Sequence, residues 1–375
     1  MVRAVTLLVC CALVAAAAGA DQVPCTVDEA GTGGVCGSLS DCPELERLAR
    51  SARPNTPAVQ RLRSLVAKCS QLASGRIQIC CQNEETRTSQ PPRVQLPLPP
   101  TCGSRLFSKV VGGDVAVIGE FPWMVSIQYT KTRTDSGLQH GCGGTLITSR
   151  HVLTAAHCVS FLSTPESNEL TPVAVVLGEL DFDSEIDCLS FGPTTSTCAD
   201  RPITVDIEAI FPHPDFQNIR QLALPNDIAV VRLAREVTFT EFIQPICLPT
   251  NISALGDPNQ TDITPDQMGT IVGWWRTNVS SFSPVVQRAR LPIVNMSHCE
   301  RRFRRSLPSR LCVGERPSDI RTCPRDPGGP LMVTNRFDTI FQTGIFSFPS
   351  VCGMRLAVYT RVFDYIDWII EQINK

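Results

Sequence analysis

The cysteines constrain this chain more than any other feature. Eighteen occur among its 375 residues. Two of them, Cys10 and Cys11, lie in an apolar N-terminal segment, which leaves sixteen for the rest of the chain. An even and dense set of cysteines behind such a segment is typical of disulfides formed in an oxidising compartment, not of metal sites. The chain is therefore expected to be a disulfide-braced protein.

The N-terminal segment, residues 1–20, predicts a signal peptide. Arg3 precedes an apolar run over residues 5–18, and the segment ends in Ala18-Gly19-Ala20, a small-x-small cleavage site. This run is shorter than the roughly 20 apolar residues of a membrane span, and no later segment reaches that length. We expect secretion and a mature chain starting at Asp21, with an uncleaved anchor as the alternative. The net charge of −2 argues against nucleic acid as a partner.

Six of the sixteen cysteines lie close together near the N-terminus, within residues 25–81. They are Cys25, Cys36, Cys42, Cys69, Cys80 and Cys81. Spacing alone leaves fifteen pairings open. A segment this small needs such cross-links because its core is small. Leucine and valine residues between 45 and 66 recur at intervals of three and four, which predicts one or two short helices.

A proline-rich segment follows, from Gln82 to about Thr101. Its prolines are Pro91, Pro92, Pro97, Pro99 and Pro100. Proline favours extended polyproline II geometry, so the segment is predicted to be a semi-rigid spacer. With the residues up to Lys109, it forms a predicted linker over residues 82–109.

The remainder, residues 110–375, predicts a mostly β domain. Short β-rich runs broken by turns occur at residues 124–129, 145–147, 173–177, 203–210 and 228–233. This pattern suits two packed antiparallel barrels. At the C-terminus one helical face is formed by Val362, Ile366, Ile369, Ile370 and Ile373, which predicts a terminal amphipathic helix.

Three segments of this domain resemble the catalytic segments of trypsin-like serine proteases. Residues 153–158 read LTAAHC around His157, and residues 226–230 read NDIAV around Asp227. Residues 323–330 read CPRDPGGP, where the family has a GDSGGP nucleophile loop. The order along the chain is that of the chymotrypsin-like triad. The resemblance implies a chymotrypsin-like double antiparallel β-barrel with a C-terminal helix.

The nucleophile of that family is missing here, because Pro327 stands at the serine position. Proline has no hydroxyl to deprotonate and no backbone N–H to donate to an oxyanion. Loss of one oxyanion donor alone typically costs about 100- to 1000-fold in rate. His157 and Asp227 are then expected to be remnants of a triad. We expect no peptidase activity.

Other positions of the family site are altered as well. Arg325 replaces the first glycine of the motif, and Arg321 stands where trypsin-like specificity pockets carry aspartate. Pro349 ends a Ser-Phe-Pro segment in place of Ser-Trp-Gly, and proline cannot donate to a paired substrate strand. Restoring a serine at position 327 is therefore expected not to restore an enzyme.

The start of the domain, Lys109-Val110-Val111-Gly112-Gly113, resembles the activation site of trypsin-like zymogens. The resemblance implies cleavage after Lys109 by an upstream trypsin-like protease. It also implies that the new amine of Val110 pairs with the carboxylate of Asp326. Both partners of this switch are present although the nucleophile is not.

The N-terminal cysteine group ends in Cys80-Cys81 upstream of a protease-like domain, and so resembles the clip domain of arthropod proteases. An unrelated small disulfide module is the alternative for residues 25–81. The resemblance implies these clip disulfides: Cys25 with Cys80, Cys36 with Cys69 and Cys42 with Cys81. It implies these pairs in the body: Cys102 with Cys247, Cys142 with Cys158, Cys188 with Cys198, Cys299 with Cys312 and Cys323 with Cys352.

Three surface features carry further expectations. Glycosylation sequons occur at Asn251, Asn259, Asn278 and Asn295. An acidic loop binds calcium in some relatives and here contains Glu179, Asp181, Glu185 and Asp187, although a solvated acidic loop is the favoured reading. No other metal or cofactor is expected. A basic cluster follows Cys299 and is read as a solvated face, with binding of acidic partners or glycans as the alternative; it comprises Arg301, Arg302, Arg304, Arg305 and Arg310.

The chain is thus identified as a member of the clip-domain serine protease homologues of arthropods. The resemblance implies a non-catalytic haemolymph protein that binds proteases or other proteins of an extracellular immune cascade. Such cascades control prophenoloxidase activation, melanisation or complement-like responses. Two alternatives stay open, namely an active trypsin-like endopeptidase of the same cascade and a recognition protein for microbial surfaces.

Overall fold

The structure, a computed structural model, describes the larger part of the chain. The described residues are 24–27, 33–39, 42, 45, 48–49, 57–69, 78–82, 93–106, 115–131, 138–160, 170–190, 195–217, 224–255, 263, 265, 267–274, 283–304, 306–314, 326–348 and 356–375. The chain divides into two compact units, Met1–Arg93 and Val94–Lys375. None of the described helices is both long and apolar enough to cross a lipid bilayer.

The N-terminal unit contains a small antiparallel sheet and a helix. Its strands β1 (Pro24–Thr26), β2 (Gly33–Gly37) and β3 (Ile79–Gln82) pair in that order, and helix α1 spans Pro57–Ala67. Leu65 of α1 is buried among cysteines, as the helical periodicity predicts. Three disulfides join Cys25 to Cys80, Cys36 to Cys69 and Cys42 to Cys81, the pairs that the clip resemblance implies.

The larger unit begins with the first closed antiparallel barrel. Its strands are β4 (Met124–Lys131), β5 (Gln139–Thr148), β6 (His151–Thr154), β7 (Leu170–Leu177), β10 (Ile203–Pro212) and β11 (Ala229–Leu233). They close in the order β10-β11-β6-β5-β4-β7. A separate hairpin of β8 (Cys188–Ser190) and β9 (Ser196–Cys198) is inserted after β7, and a short helix α2 (Ala156–Val159) follows β6.

The second barrel is built in the same way from the C-terminal half. Its strands are β12 (Met268–Gly273), β13 (Gln287–Val294), β14 (Arg310–Gly314), β15 (Pro330–Thr334), β16 (Ile340–Phe348) and β17 (Leu356–Arg361), closing as β12-β13-β14-β17-β16-β15. Helix α3 (Met296–Phe303) lies between β13 and β14. The predicted fold class, two antiparallel barrels with a C-terminal helix behind a small disulfide-rich domain, is confirmed.

Each strand of the barrels contributes apolar side chains to the interior. Trp123, Ile127, Leu146 and Ile228 are among the large side chains that are completely buried in the first barrel region. Burial of a side chain of this size stabilises the folded state by about 1.5 to 3 kcal/mol. Four disulfides add covalent links within this unit, joining Cys102 to Cys247, Cys142 to Cys158, Cys188 to Cys198 and Cys299 to Cys312. Cys323 and Cys352 lie outside the described residues.

The later part of the proline-rich segment, from Val94, groups with the larger unit. Leu96 is buried in its core, and Cys102 is fully buried in its bond to Cys247. Burial of Leu96 and the disulfide of Cys102 thus attach this part of the segment to the larger unit.

The C-terminal helix is shorter than the apolar pattern predicts. A 3-10 turn spans Val362–Tyr365, and α4 spans Ile366–Gln372. Val362, Ile366, Ile369 and Ile373 are buried, but Ile370 is 40% exposed. Each residue advances about 100° around an α-helix, so Ile370 lies at the rim of the apolar face.

Candidate active site

Pairing of two strands in the first barrel brings His157 and Asp227 together. β6 and β11 are antiparallel, with Thr154 opposite Ala229, so the residues after β6 and before β11 meet at one end of the barrel. His157 Nδ1 lies 2.8 Å from Asp227 Oδ2, and the backbone N–H of His157 donates to Asp227 Oδ1 at 2.9 Å. The fully buried carboxylate therefore fixes both the backbone and the ring of His157.

Two further residues hold Asp227 in place. The hydroxyl of Ser347 donates to Asp227 Oδ2, and that of Thr360 donates to the carbonyl oxygen of Asp227 at 2.8 Å. Burial by itself would raise the pKa of Asp227, but His157 and the hydrogen bonds from His157 and Ser347 outweigh it and lower the pKa. The carboxylate is thus ionised and oriented, the state that a general base needs from its partner.

A buried cation that sequence reasoning missed lies behind this pair. Arg310 is 8% exposed, and its guanidinium donates to Thr360 Oγ1 and to the carbonyl oxygen of Leu224. Burial lowers the pKa of Arg310, and the negative charge of Asp227 opposes that shift. The expectation that Arg310 belongs to a solvated basic face is therefore wrong. Arg301, Arg302 and Arg304 are exposed, and Arg305 lies outside the described residues.

The former nucleophile position lies in a tight turn. The N–H of Gly329 donates to the carbonyl oxygen of Asp326 at 3.0 Å, and Gly328 has a φ of +79°. Pro327 and Gly328 thus hold the second and third positions of a turn that matches type II, where proline and glycine are each favoured. A side-chain carbon at Gly328 would lie 2.2 Å from Thr154 Oγ1, so glycine is also required by space.

Backbone groups around Pro327 are occupied by contacts within the protein. The carbonyl oxygen of Pro327 accepts the N–H of Gly143 at 2.9 Å, and the N–H of Gly328 donates to the carbonyl oxygen of Phe346 at 3.1 Å. Proline itself has no N–H. Within residues 326–330 there is therefore no side-chain hydroxyl, and the N–H groups of Gly328 and Gly329 already have acceptors within the protein. Arg321, Arg325 and Pro349 lie outside the described residues.

Asp326, the neighbour of Pro327, is a buried carboxylate. Its Oδ2 accepts the backbone N–H of Trp274 at 2.7 Å. Burial raises the pKa of Asp326 to about 7, although hydrogen bonds from the N–H groups of Trp274 and Gly143 lower it. Across the described residues we find no cation in a salt bridge with Asp326. Lys109 and Val110, its expected activation partners, lie outside those residues.

Aromatic side chains connect this carboxylate region to the acidic loop. The ring of Phe182 lies 5.2 Å from that of Trp274 and 4.0 Å from that of His140. His140 Nδ1 and Ser126 Oγ are 3.1 Å apart, and burial lowers the pKa of His140. Nothing in the local sequence around His140 or Trp274 indicates these contacts, because they join residues from separate strands and loops.

Two carboxylates of the acidic loop already have partners within the protein. Asp187 uses both carboxylate oxygens within the loop, accepting the N–H groups of Leu180 and Asp181 and the hydroxyl of Ser184. Glu185 forms a salt bridge with Arg201. Among the described residues, no three carboxylates approach one another as ligands of one ion; the two clusters that do converge contain disulfide-bonded cysteines.

Two of the four sequons lie on described surface. Asn251 and Asn295 are exposed, and each side-chain oxygen accepts the backbone N–H of the serine two residues later, at 3.0 and 2.9 Å. For Asn295 this bond also caps α3. The side-chain nitrogen, which would carry a glycan, takes no part in these bonds. Asn259 and Asn278 lie outside the described residues.

Comparisons with known proteins agree with this architecture. The family model described as Trypsin matches residues 110–369. Melanization protease 1 of Drosophila melanogaster is 35% identical over 326 residues, which cover 80% of this chain and 78% of that protein. Phenoloxidase-activating factor 1 of Holotrichia diomphalia is 34% identical over 318 residues, with coverages of 80% and 82%.

A solved structure extends the similarity over both units. It is that of the Drosophila Grass clip serine protease of the Toll pathway, with a TM-score of 0.63 and 27% identity. The aligned region covers 94% of this chain and 97% of that one.

Proposed function

Since this chain belongs to the clip-domain branch of the trypsin family, we propose that it is a secreted, non-catalytic member that binds proteins of an extracellular immune cascade. The names of its relatives refer to melanisation, phenoloxidase activation and the Toll pathway. The expected partners are proteases or other proteins of such a cascade in haemolymph. The proposed effect is that of a cofactor or regulator.

The observation that carries the proposal is the turn around Pro327. Its proline and glycine suit their positions, so the loop is stable with a residue that cannot act as a nucleophile. His157 and Asp227 keep their bond, yet a general base is useful only with a hydroxyl in reach. Loss of the nucleophile alone costs about a million-fold in a well-studied serine protease.

Labelling with a fluorophosphonate probe tests the loss of catalysis. The mature protein is cleaved after Lys109 and incubated with the probe beside an active clip-domain protease as the positive control. We expect no labelling and no peptide hydrolysis, from the natural chain or from Pro327→Ser. Labelling of the natural chain would establish the alternative, an active endopeptidase, and turnover by Pro327→Ser would show that the rest of the site is intact.

A binding role is tested in a reconstituted cascade. Addition of the cleaved protein to purified clip-domain proteases and prophenoloxidase is expected to change the rate of phenoloxidase formation at least several-fold. A protein that left this rate unchanged, while binding microbial glycans in a pull-down, would be a surface-recognition protein instead.

We further propose that cleavage after Lys109 still acts as a switch. The raised pKa of Asp326 supports this, because a buried carboxylate with no salt-bridge cation among the described residues would gain from the new ammonium group of Val110. Removal of one partner from such a buried pair typically costs about 3 to 5 kcal/mol. An ordered loop surface would then be available to a partner protein.

Three proteins test the switch, namely the intact chain, the cleaved chain and cleaved Asp326→Asn. The cleaved chain is expected to bind the cascade proteases more tightly than either of the others. Lys109→Gln serves as the control that cannot be cleaved at this site. Equal affinities of all three proteins would rule the switch out.

A further inference from the structure

The hairpin of β8 and β9 is separate from both barrels. Its two strands pair only with each other in the sheet order, and Cys188 and Cys198 are directly opposite in the register and joined by a disulfide. Both cysteines are exposed. In each of the other six described disulfides at least one cysteine is buried. Cys188–Cys198 is thus the one described disulfide in which both cysteines are exposed.

Access matters because a disulfide is broken by direct attack of a thiolate on one of its sulfur atoms. A thiolate reaches an exposed cysteine more readily than a buried one, and both cysteines of the hairpin are exposed residues. We propose that Cys188–Cys198 is a thiol-exchange site of this protein, and that its reduction loosens the loop that supports the Asp326 region. The reductant that fits is a thioredoxin-like dithiol or a small-molecule thiol.

The exchange is a two-electron reduction of the protein disulfide. A thiolate of the reductant attacks one hairpin sulfur, forms a mixed disulfide and releases the other cysteine as a thiolate. A second thiol of the reductant then displaces the protein from the mixed disulfide. The products are the thiols of Cys188 and Cys198 and the disulfide of the reductant.

A continuous set of hydrogen bonds connects the hairpin to Asp326. Asp187 directly precedes Cys188, and its carbonyl oxygen accepts the N–H of Ala199, directly after Cys198, at 2.8 Å. The carboxylate of Asp187 accepts the N–H of Leu180 at 3.1 Å.

Leu180 continues the connection into the body. Its carbonyl oxygen accepts the side-chain N–H of Trp274 at 3.3 Å and the backbone N–H of Val286 at 2.9 Å. The backbone N–H of Trp274 donates to Asp326. Reduction of Cys188–Cys198 removes the cross-link that fixes the position of Asp187. The hydrogen bond between Asp187 and Leu180 then loses its support at the surface. The inference does not depend on whether the protein is catalytic.

Stepwise reduction of the native mature protein tests the accessibility. The protein is treated with thioredoxin and its reductase, or with glutathione, and new thiols are alkylated and mapped by mass spectrometry. We expect Cys188 and Cys198 to be alkylated about ten-fold faster than any other described pair. Earlier labelling of another described pair, or simultaneous labelling of all, would overturn the assignment.

Hydrogen exchange on the selectively reduced protein tests the coupling. Amide exchange is expected to accelerate in residues 180–187 and in β12 with Trp274, while β14 is unchanged. The double variant Cys188→Ser with Cys198→Ser should reproduce this pattern without reductant, and the reduced natural protein gives the same test where that variant does not fold. Acceleration confined to the hairpin would reject the connection to Asp326.

Discussion

Asp326 accepts the backbone N–H of Trp274 at 2.7 Å while its carboxylate is almost completely buried. Two backbone N–H groups are weak compensation for the water that a carboxylate loses on burial, which is why the pKa of Asp326 rises to about 7. The intact chain therefore carries an electrostatic cost beside the turn that contains Pro327. A cation supplied from elsewhere would remove this cost.

This cost predicts a pH dependence of the stability of the intact chain. The folded pKa of Asp326 lies above its unfolded value, so its stabilising contribution is complete below about pH 4 and is lost as the pH rises to about 7. A shift of this size corresponds to a free energy on the order of 4 kcal/mol. Asp326→Asn removes the titration, so the variant should gain stability relative to the natural chain across that pH range.

Denaturant unfolding of both proteins between about pH 4 and about pH 8 measures this difference. Weakening of the hydrogen bond from Trp274 would add a constant offset to the difference in unfolding free energy, so the slope of that difference with pH is the relevant quantity. A difference in unfolding free energy that does not vary with pH would contradict the prediction. After cleavage at Lys109 the slope should disappear if the Val110 amine pairs with Asp326.

The sequence was sufficient to predict the fold and the His157–Asp227 pair, because both follow from local motifs in a fixed chain order. It did not predict the burial of Arg310. The spacing of arginines after Cys299 predicted a solvated face, whereas Thr360 and Leu224, which are distant in sequence, accept hydrogen bonds from Arg310 in the interior. Tertiary partners of this kind leave no local periodicity.

The proline-rich segment is a second case in which tertiary contacts could not be predicted from the local sequence. Its composition favours an extended chain, but composition does not show which surface such a chain will contact. Leu96 and Cys102 are single residues within that segment, and burial of these two side chains places the segment on the larger unit. Prolines alone do not indicate this grouping with the larger unit.

Pro327 is predicted to stabilise the turn that contains it. Proline restricts the unfolded chain and fits the second position of this turn, so Pro327→Ala should lower the unfolding free energy by about 0.4 to 1 kcal/mol. Pro327→Gly should cost more, because glycine adds further freedom to the unfolded state. Thermal unfolding of the natural chain and the two variants measures their order of stability. An alanine variant as stable as the natural chain would show that proline does not stabilise this turn.

Gly328 is predicted to tolerate no side chain. Alanine would need a φ of +79° and would place its side-chain carbon 2.4 Å from the carbonyl oxygen of Gly143. Backbone strain and overpacking each cost about 1 to 3 kcal/mol, so Gly328→Ala should lose about 2 to 6 kcal/mol. Gly178→Ala is the matched control, because its φ is +74° but the nearest atom, in Ile243, is 3.2 Å away. If urea unfolding gave the same loss of unfolding free energy for Gly328→Ala and Gly178→Ala, backbone strain alone would account for the destabilisation.

Glu179 is predicted to make the acidic loop less stable at alkaline pH. Burial and the nearby charges of Asp187 and Asp181 raise the pKa of Glu179 to about 7, so folding favours its protonated form. The contribution is complete below about pH 4.5 and is lost as the pH rises to about 7. Glu179→Gln should therefore raise the melting temperature at about pH 8 and have little effect at about pH 5, with Glu185→Gln as the exposed control.

The same melting curves, recorded with and without millimolar calcium, test the loop as a metal site. Asp187 uses both oxygens in hydrogen bonds and Glu185 pairs with Arg201, so calcium should leave the melting temperature of the natural chain nearly unchanged. A calcium-dependent rise that Glu179→Gln abolishes would mean that these carboxylates rearrange to bind the ion. In that case the raised pKa of Glu179 would reflect a site prepared for a cation, since an ion of that charge favours the ionised carboxylate.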